Sequence, residues 1–520
     1  MQRRQGANKR DGSFLCALAS LRDALARGGR VVHLLILLHL GITIPLAYRL
    51  SIWVDEAFTL DTTGRGISYA FHQAIKFELQ PPLYFVLLNL WRDLNGSIFF
   101  ARLFSILCVA LAIKVAASLA QRLWKNVHPG WVAAVLALHP LMVWAAIEIR
   151  VYALAILLTA LLLLLFYDGY VAAAASARAR WLYLLLSILS LYTYYYLGFI
   201  LFANACALLA LRRWRLLFLY LVHMTAVALC FVPMVLIVMG QVNTHTRPLT
   251  SAPSWWESFK FITWRVKEYI LPAEETRLIG LRRWTLRLAY VVIFLSVARS
   301  RGKRLLTTAN LLTWAIVTVT SLFFLAALLA TTEEMMLPRH TAVLFLPSIL
   351  LAFSLLSIIP VKKGVLIGAL VMSVFNVVSL STVCATLTRD RNWDQVAAYI
   401  REHETAGQPI LVFHAGAALP LSHYYRGANA LVPVPRENRF ETFDIRDYVL
   451  RDEQEILDAL ARAPGEHEEV WLVTDGVCRY LGLDYNCPAL EEFVNKHYAV
   501  ETSRAFSNTQ VRLLRRKPRS

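Results

Sequence analysis

The sequence predicts a polytopic α-helical membrane protein that ends in an external α/β domain. Its 520 residues are 58% hydrophobic and only 17% charged. Apolar runs recur near the roughly 20-residue length that carries a helix across a bilayer. After residue 386 the character changes: residues 388–520 hold 17 Lys and Arg against 20 Asp and Glu, leaving 36 against 15, a net +21, for the rest.

Charge placement predicts the topology. Basic clusters fall in the tail 1–30, in QRLWK (121–125), ARAR (177–180), RRWR (212–215), ARSRGKR (298–304) and VKK (361–363). Short basic loops between apolar runs mark the cytoplasmic side, which accounts for the net charge of +18 without nucleic acid. If every cluster is cytoplasmic, the chain crosses out and back between each pair. Spans near 31–48, 98–120, 131–147, 151–167, 181–196, 198–211, 216–239, 284–298, 305–330, 340–359 and 364–386 meet that condition with eleven crossings.

PPLYFVLLNLW (81–91) is apolar but short, opens on two prolines and runs into Arg92 and Asp93. Counting it as a span would invert every later loop, so it reads as an interfacial helix on the outer face with proline in its first turn. External segments then run from 49 to 97 and from 240 to 283. The first apolar run begins at Val31 with no small-residue cleavage signature behind it, so it is expected to stay as an anchor. With tail 1–30 cytoplasmic, an odd number of crossings through 31–386 places 387–520 in the periplasm or outside the cell. In that domain WDQVAAYIREHE, LSHYYRG and ALEEFVNKHY read as helices, and PILVFH, EEVWLVTD and QVRLLR as strands. It has no phosphate-binding glycine motif. Cys478 and Cys487 fall there, either as a disulfide or as two unrelated thiols. No Cys and His spacing resembles a structural zinc site.

The polar residues of the membrane region gather at external span ends: Asp55 and Glu56 in SIWVDEAFTL (51–60), placed in a loop, then Glu78 and Gln80, Glu148 and Arg150, Glu333 and Glu334, Arg339 and His340. Singly, each reads as a solvated or snorkelling side chain, and nearby tyrosines as an interfacial belt. In order, SIWVDEAFTL, ELQPPLYFVLLNLW, FFARLFSILCVALA, EIRVYALAILLTA, LYTYYYLGFIL and PRHTAVLFLP form a pattern over residues 30–360. It resembles the bacterial glycosyltransferases related to protein O-mannosyltransferases and lipid A aminoarabinose transferases, of the glycosyltransferase C superfamily.

That resemblance implies a bacterial inner-membrane enzyme with a polyprenyl-phosphate sugar as donor and an external lipid, glycan or protein as acceptor. Displacement at the anomeric carbon needs a carboxylate to take the acceptor proton, while the lipid phosphate leaves readily and needs only its charge stabilised. One base suffices, and the configuration inverts. By resemblance Asp55 is the base and Glu56 orients the loop, the acceptor or a metal. Arg339, whose fork suits phosphate oxygens, is the first candidate for the lipid phosphate and Arg150 the second. Glu78, Gln80, Glu148, Tyr152, Tyr195, Tyr196 and His340 are candidates for the donor or acceptor pocket.

One position departs from the family. Related sequences often carry His or Lys before the first proline of PPLY, where this chain has Gln80, which brings no charge and ligates metals poorly. Glu78, His72 and His340 are the nearby groups that could take its part. A divalent cation is compatible with the acidic pair, but nothing in the sequence requires one. Two other classes share some features. A polyprenyl-linked glycan flippase or polysaccharide polymerase would also have many spans, but a transporter favours charges or broken, repeated helices at mid-membrane, and no repeat is evident here. A membrane scaffold would explain the terminal domain and not the ordered motifs.

Overall fold

Backbone at bilayer depth must satisfy its own hydrogen bonds, so the long apolar runs wind into helices. The computed structural model describes all residues except 1–7, 245–252, 274–275, 277, 301, 303, 331–338, 362, 391, 442–443, 464–466, 481–482 and 519–520, and the side chains at 8–28, 240–244 and 388–390. Glu333 and Glu334 therefore lie outside the described residues.

The membrane part runs through α1 (Asn8–Arg49), α2 (Val54–Thr62), α3 (Ile67–Lys76), α4 (Leu83–Arg92), α5 (Ile98–Leu123), α6 (Pro129–Ala137), α7 (Pro140–Ile147), α8 (Tyr152–Phe166), α9 (Ala177–Leu191), α10 (Leu197–Ala210), α11 (Trp214–Thr244), α12 (Trp255–Ile270), α13 (Ile279–Arg299), α14 (Thr308–Ala330), α15 (Ala342–Ile358) and α16 (Gly364–Asp390). Every predicted span overlaps a helix or helix pair. Among the described residues six helices are long and apolar enough to cross a bilayer, or seven with α6 and α7 taken together. The eleven-crossing count thus exceeds what length and composition support. With 15, 14 and 17 residues, α9, α10 and α15 reach about 21–26 Å against a core of about 30 Å, and α13 carries Arg282, Arg283 and Arg287 within its span.

The continuous span expected over 131–147 is instead two helices bent by 62°. Each opens on a His-Pro pair: His128 and His139 accept from the backbone N–H groups of Gly130 and Leu141, and Pro129 and Pro140 take the first helical position. Proline has no N–H to extend α6 and disfavours helical geometry in the residue before it. His139 also donates through Nε2 to the Tyr269 carbonyl at 3.0 Å, tying the break to α12.

Helices α5 and α8 lie at the centre, where buried Ala112, Ala116 and Ala120 meet a helix bearing Ala153, Ala155 and Ala160; such small residues let backbones approach. Leu34, Leu37, Phe218, Leu229, Leu236, Leu288 and Phe294 lie exposed on α1, α11 and α13, an apolar rim that suits lipid rather than water.

After α17 (Trp393–His403) the chain builds β1 (Ile410–Phe413), α18 (Ala418–Tyr424), β2 (Leu431–Val434), α19 (Glu453–Ala461), β3 (Glu469–Thr474), β4 (Arg479–Tyr480), β5 (Leu483–Asp484), α20 (Cys487–His497), β6 (Tyr498–Phe506) and β7 (Thr509–Arg516). The main sheet has the order β2-β1-β3-β7-β6. β1 is parallel to β2 and β3, while β7 is antiparallel to β3 and β6. Alternation splits its faces: Ile410, Val412, Trp471 and Val473 pack with α17, whereas Leu411, Phe413, Val470 and Leu472 pack with α19 and α20. Phe58 and Phe77, from the segment between α1 and α5, join this second face. Burying each contributes about 1.5–3 kcal/mol and fixes the sheet domain over that segment.

Candidate active site

The acidic pair sits in the first turn of α2, not in a loop. Carboxylates are favourable there, facing the positive end of the helix dipole. Adjacent helical residues point about 100° apart, and the two acids meet opposite surroundings. Glu56 is fully buried and bound in a fork by Arg102, Nε to Oε1 at 3.2 Å and Nη2 to Oε2 at 3.0 Å. It also accepts from the backbone N–H groups of Ile149 at 3.0 Å and Trp53 at 3.3 Å. Arg102 spends its remaining donors on the carbonyls of Ala47, Leu50 and Ser51 at the end of α1, groups a helix C-terminus leaves unsatisfied. This pair joins α1, α2, α5 and the segment before α8.

Asp55 keeps 26% of its side chain exposed and lies 3.5 Å from Arg339 Nη1. Its carbonyl accepts from Arg150 Nη1 at 3.2 Å. The same Arg150 nitrogen donates to Thr59 Oγ1 at 2.7 Å and Glu78 Oε2 at 2.8 Å. Burial pushes the Glu78 carboxyl up, Arg150 pulls part of that back, and the negative charge of Asp55 adds to the rise. Burial opposes the Arg339 charge, but Asp55, Tyr152 and Tyr480 together outweigh it and hold the guanidinium above its ordinary range. Arg339 also lies over the Trp53 ring, 5.3 Å from its centroid, and Trp53 Nε1 donates to Glu148 Oε2 at 2.6 Å. Leu79, between Glu78 and Gln80, has φ = 55°, a left-handed conformation uncommon for leucine. Among the described residues, Gln80 Oε1, Tyr84 Oη and Arg150 Nε are buried without a hydrogen-bond partner.

The sheet domain forms the roof. Ser51 Oγ donates to Asp394 Oδ1 at 2.5 Å, the Ile52 N–H to Tyr424 Oη at 2.8 Å, and Gln73 Nε2 to the Phe440 carbonyl at 2.6 Å. Tyr448 is raised by burial first and then by Asp447 and Asp55, which places its hydroxyl in the field of the acidic motif. Beside it His414 accepts at Nδ1 from the Gly416 N–H, leaving Nε2 to donate to Asp475 at 3.0 Å. Tyr480 accepts from Arg339 Nη2 at 3.2 Å. Tyr480 belongs to the β4–β5 hairpin, whose flanks are joined by a Cys478–Cys487 disulfide with Cα atoms 5.6 Å apart. Reducing that bond should raise amide exchange across β4 and β5, measured by hydrogen–deuterium exchange with mass spectrometry. Unchanged protection would mean that the hairpin is held without it.

The remaining candidates are spread more widely. Tyr152 is buried with Arg150, Arg339 and Asp55 as charged neighbours, and its ring stacks obliquely on Trp144 at 5.4 Å. His340 enters through its backbone, accepting from the buried Tyr194 hydroxyl at 3.1 Å. Tyr195 packs on Phe231 at 6.4 Å and Tyr196 on Phe324 at 5.5 Å. His72 is exposed, with Nδ1 bonded to the Ser68 carbonyl in its own helix. Sequence reasoning missed Arg102, Tyr448 and Tyr480. Arg102 carried a signal, a cation in the second turn of an apolar span; the tyrosines carried none. Among the described residues no group of three or more His, Cys, Asp or Glu is placed to hold a metal ion.

No family model matches the chain, and no curated protein is similar to it. Among solved structures it is similar to ArnT from Cupriavidus metallidurans bound to undecaprenyl phosphate, at 15% identity and a TM-score of 0.47, over 94% of this chain and 98% of that one. It is also similar to the apo state of the same protein, at 15% identity and 0.47, over 93% and 97%.

Proposed function

We propose that the protein is an integral-membrane inverting glycosyltransferase of the C superfamily. It moves a sugar from a polyprenyl phosphate onto an external lipid, glycan or protein. The observation that carries this reading is the pairing of a partly exposed carboxylate, Asp55, with a phosphate-competent guanidinium, Arg339, 3.5 Å away, between span ends and a soluble domain. Asp55 takes the proton of the acceptor hydroxyl as its oxygen bonds to the anomeric carbon. The bond from that carbon to the lipid phosphate breaks, its electron pair leaving with the phosphate, and Arg339 stabilises the charge. Arg150 holds Glu78 and the first turn of α2 in place, and Tyr448 and His414 in the roof line the approach for the acceptor. In this reading 1–30 is cytoplasmic and 387–520 external, which the basic clusters support and a disulfide on the oxidising side suits.

The test supplies purified protein in lipid with a panel of polyprenyl-phosphate sugars and follows donor and product by mass spectrometry. No turnover with any donor would reject the class. Arg339→Gln should raise the donor KM about 10- to 100-fold, the loss of one charge-assisted contact of about 1.5–3 kcal/mol, with a smaller change in kcat. Unchanged donor kinetics would remove Arg339 from the phosphate site.

A further inference from the structure

A second charged recess lies at the far end of the bundle. α5 and α8 begin beside the acidic motif and run away from it, α5 for 26 residues, about 39 Å. At their other ends opens a cavity of about 650 Å³, lined by Lys125, Arg213, Arg304, Thr308 and Asn310 among others. It gathers five elements: the end of α5, the π-helical turn Tyr167–Val171 after α8, the α10–α11 turn, the start of α14 and the end of α15.

Three cations line this recess, and no Asp or Glu among the described residues does. The neighbouring acid, Asp168, is taken by Arg122 at 3.0 Å. Arg213 spends one nitrogen on the carbonyls of Tyr170 and Val171, at 3.2 and 2.6 Å, and Arg304 one on that of Ile358 at 3.4 Å. Both thus finish helix C-termini through Nη1 while the rest of each guanidinium makes no hydrogen bond among the described residues. The Lys125 side chain makes none among the described residues. The floor is polar and fixed: Asn310 accepts from Trp124 Nε1 and Ser354 Oγ, both at 2.8 Å, and donates to the Arg304 carbonyl. Thr307 caps α14 by accepting from the Asn310 N–H at 3.2 Å, and the positive end of that 23-residue helix opens on the cavity.

Cytoplasmic basic residues commonly lie flat at the lipid surface. Here they converge on an open recess whose volume exceeds that of a phosphate ion and can take a phosphorylated headgroup, and basic pockets between spans suit such groups. We propose that this cavity binds a phosphate-bearing anion, supplied either by the headgroup of an anionic phospholipid or by free phosphate, at a site separate from the acidic motif.

Native mass spectrometry of the full chain in mixed micelles of phosphatidylglycerol and phosphatidylcholine tests this, with equilibrium dialysis against radiolabelled inorganic phosphate as a second arm. One anion should be retained in preference to phosphatidylcholine. Lys125→Gln, which removes no hydrogen bond among the described residues, should weaken it about tenfold, the scale of one charge-assisted contact. Lys125→Glu should weaken it further, and Lys125→Arg should restore it. Phosphatidylglycerol retention identifies the lipid as source, and Lys125-dependent phosphate binding alone identifies the free ion. Equal retention of both lipids with no phosphate binding, or native-like binding by Lys125→Glu, overturns the proposal.

Discussion

Asp55→Asn should lower turnover by about 10²–10⁴-fold, the contribution of a positioned general base, while donor binding and thermal stability stay near native. The carboxamide keeps size and polarity but cannot take the proton of an attacking hydroxyl. Stability is spared because Asp55 remains partly exposed and its contact with Arg339 is 3.5 Å long; such a pair contributes about 0–1 kcal/mol. The measurement is single-donor turnover alongside donor binding and unfolding in the same lipid or detergent. Native turnover by the variant would reject Asp55 as base and turn attention to Glu78. That carboxyl is 4% exposed and engaged by Arg150, so using it would require the loop around Leu79 to rearrange.

Much of the architecture was legible in the sequence because apolar length and charge placement act locally. The helices over the predicted spans, and strands β1, β3 and β7, follow from hydropathy or from short β-branched runs. The break at His139 was legible in principle: His-Pro occurs twice within 13 residues, and each pair opens a helix. The apolar run concealed it, since hydropathy does not register a missing N–H. Strand β6 was missed because residues 499–505 are exposed on both faces, as suits a sheet edge, and show no apolar alternation. β2 was missed because Pro433 interrupts it, tolerable because β2 is the opposite edge strand.

Of the candidate site, Asp55, Arg150, Glu78 and Arg339 could be named from the sequence and ranked by resemblance, but the contacts of each could not be read. Asp55 and Glu56 are indistinguishable as letters. Only the turn of α2 and the position of Arg102 on α5 separate the exposed acid from the buried one. The roof was equally hidden, since Ser51 meets Asp394 and Arg339 meets Tyr480 across 343 and 141 residues, and no local pattern encodes such pairings.

Glu56→Gln should cost about 3–5 kcal/mol of stability, because removing one partner of a buried ion pair strands the other charge. Arg102 would keep its bonds to Ala47, Leu50 and Ser51 but lose the carboxylate that forks its guanidinium, at a position where both side chains are 0% exposed. The strain would fall on the junction of α1 with α2, so the expected signature is a lowered unfolding midpoint and loss of monodisperse protein in detergent. Turnover would fall with the folded fraction. If Glu56 instead acted on substrate or held a metal, Glu56→Gln would leave a native-like unfolding midpoint and an inactive protein. Glu56→Asp separates the readings further, since a carboxylate one methylene shorter keeps the charge balance and should recover part of the stability. The two neighbours thus have opposite expected phenotypes: a stable, inactive protein for Asp55→Asn, and an unstable one whose folded fraction still turns over for Glu56→Gln.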